Sequence, residues 1–171
     1  MENKPTLIIM VGVPGCGKDF HILNNKFFKQ YEAMVVSRDV IRFSMLKEGD
    51  DYFKNESKVF SAFVKDIAMG LDEGYNVIAN ATHINRSSRR KLIQSVDQRV
   101  KNKDYKIVFF VVDSELEVIR AQNDSRVGLK KVPDSVVEDM YNKLSIPSYS
   151  EDLRIDDIWI MRNKIVRKES R

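Results

Sequence analysis

The chain has 171 residues, 43% hydrophobic and 32% charged, with a formal net charge of +4. That length and balance suit a single domain, 1–171, with a packed core, and exclude the disordered and collagen-like classes. A single cysteine, Cys16, excludes an internal disulfide framework, and the mild basicity permits a polyanionic partner without requiring one.

The apolar runs TLIIMV, YNVIA and KIVFFVV are each shorter than the roughly 20 residues a helix needs to cross a bilayer. The opening MENKPT lacks the basic-then-apolar pattern of a secretory leader, so a cytoplasmic protein with no membrane segment is the expectation. Residues 6–11 predict a buried parallel strand ending at a glycine-rich turn. A helix to about Tyr31 follows, then a short strand over 33–36, with Ser37 as the N-cap of a helix beginning near Arg38. From Asn55 to Glu73, Val59, Phe60, Phe63, Ile67 and Leu71 recur at three- and four-residue steps, marking one face of a long helix that Gly74 ends. Further strands are expected at 76–79, 106–112 and 157–161, and helices at 87–99, 115–123 and 136–144. Ser135 with Glu138 reads as a capping box just after Pro133. This alternation predicts an α/β fold: a parallel five-stranded sheet with helices on both faces.

Residues 12–19 read GVPGCGKD between a predicted strand and a predicted helix. Gly12, Gly15 and Gly17 let the backbone turn tightly and aim its N–H groups inward, which makes a cradle for a polyphosphate. Lys18 brings a compact positive charge to the terminal phosphates, and Cys16 reads as a small loop residue, not a nucleophile. In VVSRDVIRF, a helix starting near Arg38 puts Asp39 and Arg42 on one face of its first turn. A carboxylate at that sheet edge lies where a hydroxyl attacking a terminal phosphate must sit, and could take its proton. The same pair also fits a surface ion pair at a helix start.

GVPGCGK at 12–18, RDVIR at 38–42, ATHINRSSRR at 81–90 and QNDSRVGLKKVP at 122–133 together resemble a P-loop kinase of the polynucleotide kinase group. The chain is most similar to the 5′-kinase domain of phage-type polynucleotide kinase-phosphatases, over nearly its whole length. The resemblance implies a P-loop kinase fold with a small basic lid at about 122–134, ATP as phosphate donor and Mg²⁺ beside it. It implies that Gly12, Gly15, Cys16, Gly17, Lys18 and Asp19 surround the ATP phosphates and that Arg126 reaches them from the lid. It makes Asp39 the general base, sets Thr82 on the acceptor side, and has Arg42 hold the phosphate next to the acceptor's terminal nucleoside. The implied acceptor is the 5′-hydroxyl of a DNA or RNA end. A nucleoside, another small hydroxyl compound, a hydroxymethylated DNA base, or a non-catalytic nucleotide-binding module are the competing readings.

Two positions depart from the family pattern. The residue after the loop lysine is Asp19 where relatives carry serine or threonine, and Asn80 opens the A-T-H run where many relatives carry aspartate. One reading is an exchange, with the acid moved from strand edge to loop and Asp19 as the metal ligand. Two unrelated substitutions, or loss of catalysis, are the others. His83 reads as a polar loop residue, while Arg86, Arg89, Arg90 and Lys91 suit either an acceptor strand's backbone or a solvated helix face.

Overall fold

TLIIMV has no polar position after Thr6, so a strand built from it must be covered on both faces. The computed structural model, which describes residues 4–152 and 154–171, buries all six side chains of this strand, β1 (Thr6–Val11). β1 pairs in parallel with β3 (Val77–Asn80) on one side and β4 (Lys106–Asp113) on the other. β2 (Met34–Ser37) lies outside β3, and β5 (Ile155–Arg162) lies outside β4, both parallel. β6 (Ile165–Lys168) closes the order β2-β3-β1-β4-β5-β6 as an antiparallel edge.

Side chains alternate across a strand, and the two faces of β1 feed two cores. Leu7, Ile9 and Val11 pack with Phe63 and Ile67 of α4 (Glu56–Asp72) and Leu92 of α5 (Arg86–Asp97). Ile8 and Met10 pack with Phe27 and Phe28 of α2 (Lys26–Lys29), Ile119 of α6 (Leu116–Asp124) and Val137 of α7 (Asp134–Asn142). α1 (Lys18–Asn24) and α3 (Arg38–Met45) each begin at the carboxyl edge of the sheet. No helix among the described residues is long and apolar enough to cross a membrane.

Among the described residues the sheet has six strands instead of the expected five, and it is mixed. The extra strand follows a tight hairpin at Asn163 and Lys164, both at positive φ (50° and 65°), which asparagine accepts readily and lysine seldom does. The expected helix to Tyr31 is broken at Asn25, whose side chain accepts from the Phe27 amide at 2.9 Å and starts α2 afresh. The capping box sits on α5, between Asn85 and Ser88, and not on α7. α7 starts at Asp134, where the Pro133 carbonyl already accepts from Val136 and Val137.

Candidate functional site

The loop after β1 holds its shape through glycine. Gly15 and Gly17 lie at φ 86° and 95°, and a Cβ on Gly15 would stand 2.8 Å from the Ile119 carbonyl and 3.4 Å from Asn123. The loop therefore packs against α6, at the start of the 122–134 segment. The Gly12 amide donates to the Thr82 carbonyl at 2.9 Å, tying the loop to the chain leaving β3. Lys18 Nζ folds back over the loop and donates to the carbonyls of Gly12 (2.8 Å) and Val13 (3.0 Å). Cys16 is buried, its Sγ in the space a Cβ on Gly12 would need. A packed thiol of this kind is a filler, as its sequence setting suggests.

Asp19 and Asn80 are 61 residues apart in the chain and meet here: Asn80 Nδ2 donates to Asp19 Oδ1 at 2.6 Å. Asn80 is buried and Asp19 exposed, so a fixed amide holds a solvated carboxylate. Among the described residues no three or more His, Cys, Asp or Glu side chains gather to hold a metal ion by themselves. The donor set nevertheless fits Mg²⁺ beside a polyphosphate, since that ion commonly takes one or two protein oxygens and fills its shell with phosphate and water. Asp19 Oδ2 and Asn80 Oδ1 are the hard oxygen donors that remain.

Three residues on, His83 is a buried side chain instead of the expected polar loop residue. It sits at φ 41°, with Nδ1 2.9 Å from the Met10 carbonyl and Nε2 buried without a partner. Burial, with Arg38, Lys18 and Arg89 nearby, pushes its pKa down to about 4 against the pull of the Met10 carbonyl.

Register brings the second strand to the same place. Ser37 pairs with Asn80 across β2 and β3, and its side chain accepts from the Val40 amide to start α3. Asp39 then stands exposed at the sheet edge, its carboxylate bonded to Arg42 Nη1 and accepting from the Tyr52 hydroxyl at 3.0 Å. Arg42 is buried. Its Nη1 also donates to Tyr52 Oη (2.8 Å), while Nε and Nη2 both donate to Glu56 Oε2 (3.3 and 2.8 Å). Arg38 pairs with the other oxygen of Glu56. Burial alone would lower the Arg42 pKa, but Glu56, Tyr52 and Asp39 outweigh it and hold the guanidinium above its ordinary value. Burial and the Asp39 charge push Tyr52 up to about 12, so its phenol stays protonated and donates.

This network alters the reading of Arg42. The fork that the family resemblance aims at an acceptor phosphate is turned onto Glu56, and four of the five guanidinium N–H groups are spent inside the protein. Sequence spacing could not reveal Tyr52 or Glu56, because a loop separates both from α3. The one available sign was an acidic residue in the first turn of the long helix, which reads equally as dipole compensation.

Arg89 is neither on a solvated face nor open to a nucleic acid. It is fully buried, its five N–H groups shared among Glu151 (2.5 and 2.8 Å), Ser145 and the His83 carbonyl. Arg86 donates to the Ser150 carbonyl at 3.2 Å, while Arg90 and Lys91 remain exposed. In the 122–134 segment, buried Asn123 clamps the chain to Val132 through two hydrogen bonds (2.7 and 3.1 Å). Arg126 lies within the loop so closed, half-exposed, with Nη1 3.5 Å from the Lys130 carbonyl.

Residues 7–147 match the family model described as AAA domain. No curated protein matches the chain. Among similar solved structures, one chain of the Pnkp1/Rnl/Hen1 RNA repair complex is 23% identical with a TM-score of 0.67, the match covering 84% of this chain and 45% of that one. This chain thus spans about half the length of that relative. A fungal RNA kinase is 18% identical with a TM-score of 0.55, covering 94% and 76% of the two chains. A sugar kinase from Janibacter sp. HTCC2649 is 15% identical with a TM-score of 0.57, covering 84% and 80%. At these identities the likeness is one of fold, the α/β fold of P-loop kinases.

Proposed function

The chain belongs to the AAA domain family, and we propose that within it this protein is an ATP-dependent kinase that phosphorylates the 5′-hydroxyl of a DNA or RNA end. The observation that carries the reading is the exposed Asp39 carboxylate, fixed by Arg42 and Tyr52 at the sheet edge that also carries the phosphate loop. In this reading the loop amides of Gly15 and Gly17, with Lys18, hold the donor phosphates, Lys18 Nζ exchanging the Gly12 and Val13 carbonyls for phosphate oxygens. Asp39 accepts the proton of the attacking hydroxyl at the Oδ it does not share with Arg42 and Tyr52. Arg42 orients that carboxylate, and Thr82 lines the acceptor side where its carbonyl already ties β3 to the loop. Arg126 approaches the transferring phosphoryl group from the 122–134 segment, by analogy with arginines that neutralise charge in such transfers. Asp19, oriented by Asn80, would hold Mg²⁺, which when bound offsets charge on the phosphate oxygens. Positioning and electrostatics supply the catalysis.

A second reading has its own support: with the Arg42 fork turned onto Glu56, a small hydroxyl compound without a phosphate also fits Asp39. One experiment separates them. The protein is incubated with γ-labelled ATP and Mg²⁺ and offered 5′-hydroxyl oligonucleotides, nucleosides, nucleoside monophosphates and sugars, with Lys18→Ala in parallel. Label on oligonucleotides, lost in Lys18→Ala, supports the polynucleotide reading; label only on a small compound replaces it; ATP binding with no label makes the protein a nucleotide-binding module.

A further inference from the structure

With four of the five Arg42 N–H groups spent inside the protein, an acceptor strand calls for further positive charge near Asp39. Two cations converge on one aromatic ring there. The Arg38 guanidinium carbon lies 5.2 Å from the Phe60 ring centroid and the Lys91 ammonium 4.7 Å from it, so the charges are at most about 10 Å apart. Arg38 adjoins Asp39 in the chain, and Phe60 lies one turn along α4 from Glu56, on the same face. The ridge therefore begins beside the proposed base and leads away from it.

The charges around this ridge do not balance. Among the described residues the ion pairs of Arg38 and Arg42 reach only Asp39 and Glu56, and Glu56 is shared by both arginines. Lys91 forms no ion pair among the described residues, and Arg38 Nε is buried without a hydrogen-bond partner. Packing one neutral ring does not need two cations, and Glu56, already shared by Arg38 and Arg42, leaves Lys91 without a counter-charge among the described residues. A phosphodiester brings one negative charge and oxygens that Arg38 and an ammonium can share.

We propose that Arg38 and Lys91, gathered over Phe60, form a second phosphate site that holds a phosphodiester of a single-stranded acceptor beyond the reacting nucleotide. The proposal rests on the polynucleotide-kinase reading and makes the enzyme prefer strands over nucleoside monophosphates.

The test compares a nucleoside 3′-monophosphate with a ten-nucleotide 5′-hydroxyl strand as acceptors, for the unmodified protein, Lys91→Ala, Lys91→Arg and Lys103→Ala. Lys103 is an exposed cation near the start of β4, at the opposite sheet edge, and controls for the loss of one charge. Binding of a fluorescent, 5′-phosphorylated ten-mer is followed by anisotropy across a salt series. Lys91→Ala should lower the strand-to-monophosphate ratio of kcat/KM about five- to tenfold and reduce the slope of log affinity against log salt by about 0.7. Lys91→Arg should keep both near the unmodified values, and Lys103→Ala should change neither. Equal loss on both acceptors with an unchanged salt slope, or an equal effect of Lys103→Ala, overturns the site. If the unmodified protein labels no strand yet binds the ten-mer in a Lys91-dependent manner, the site stands and the kinase reading falls. If strands are labelled and Lys91→Ala changes neither ratio nor slope, the kinase reading stands and the site falls.

Discussion

Asp19 and Asn80 offer the sharpest test, because the two departures from the family pattern touch each other at 2.6 Å. A hydrogen bond to a carboxylate contributes about 1.5–3 kcal/mol, and the exposure of Asp19 favours the lower part of that range. Asn80→Asp replaces the donor by a second carboxylate. Two unit charges about 4 Å apart near a protein surface repel by about 4 kcal/mol, less where water screens them. That single change should therefore weaken ATP binding severely at low Mg²⁺ and recover much of the loss when the ion is saturating. Asp19→Ser removes the acid, leaves an amide and a hydroxyl, and should raise the Mg²⁺ concentration needed for half-maximal activity.

The double variant restores one hydroxyl and one strand-edge acid. It should recover ATP affinity and turnover beyond the sum of the single effects by about 1–3 kcal/mol, roughly five- to 150-fold. Calorimetric ATP binding and steady-state rates, each at low and at saturating Mg²⁺, give the full cycle. Additivity within about 0.5 kcal/mol at both Mg²⁺ levels would refute the exchange. Asp19 would then be a loop residue whose acid has no metal-linked role.

If Asp39 is the acceptor-side base proposed above, Asp39→Asn should lower kcat by two orders of magnitude or more while leaving the KM for ATP within a few-fold; an equal loss of ATP affinity would reassign it to the donor phosphates. Tyr52→Phe should lower kcat about tenfold by releasing one of the two contacts that fix Asp39, and retained turnover would make Tyr52 a packing residue only. Glu151→Ala should cost about 3–5 kcal/mol in urea unfolding because it strands the fully buried Arg89 charge; a cost under about 1 kcal/mol would mean that Arg89 escapes to water. His83 titrates near 4 in the fold and near 6.5 unfolded, so the unfolded chain takes up the proton first and stability is lost as pH falls from 6.5 toward 4. Between pH 6.5 and 5 that loss should be about 1.5 kcal/mol and be absent in His83→Asn, where asparagine tolerates the same positive φ; an unchanged slope in the variant would assign the pH dependence to other groups.

What the sequence made legible is what acts over short separations. The buried run at 6–11, the glycine turn, the lysine at 18, the Ser37 cap and the Asp39–Arg42 pairing lie within a few residues of their partners, and the fold keeps each of them. The sixth strand escaped because its hairpin uses Asn163 and Lys164 where a glycine would have announced the turn. Arg89 looked like one more charge in RSSRR, yet its partners lie 56 and 62 residues downstream. The same holds for Arg42 and Glu56, joined across a loop that carries no periodicity. Spacing shows which side chains share a helix face, but not which distant acid comes to meet them.

The two carboxylates assigned to chemistry share a design that neither motif shows alone. Asp39 is 62% exposed and gripped by Arg42, which is 7% exposed; Asp19 is exposed and gripped by Asn80, which is 8% exposed. A carboxylate buried as deeply as its partner would have its charged form penalised, and would resist the ionisation that both proton transfer and Mg²⁺ binding require. A carboxylate left free on the surface would keep its charge and lose its direction. Setting the acid in water and its orienting partner in the protein secures charge and direction together. On this account Arg42 and Asn80 act through the acids they hold. Replacements that add no charge, such as Arg42→Gln or Asn80→Ala, should therefore damage turnover or Mg²⁺ dependence before they damage the affinity for ATP.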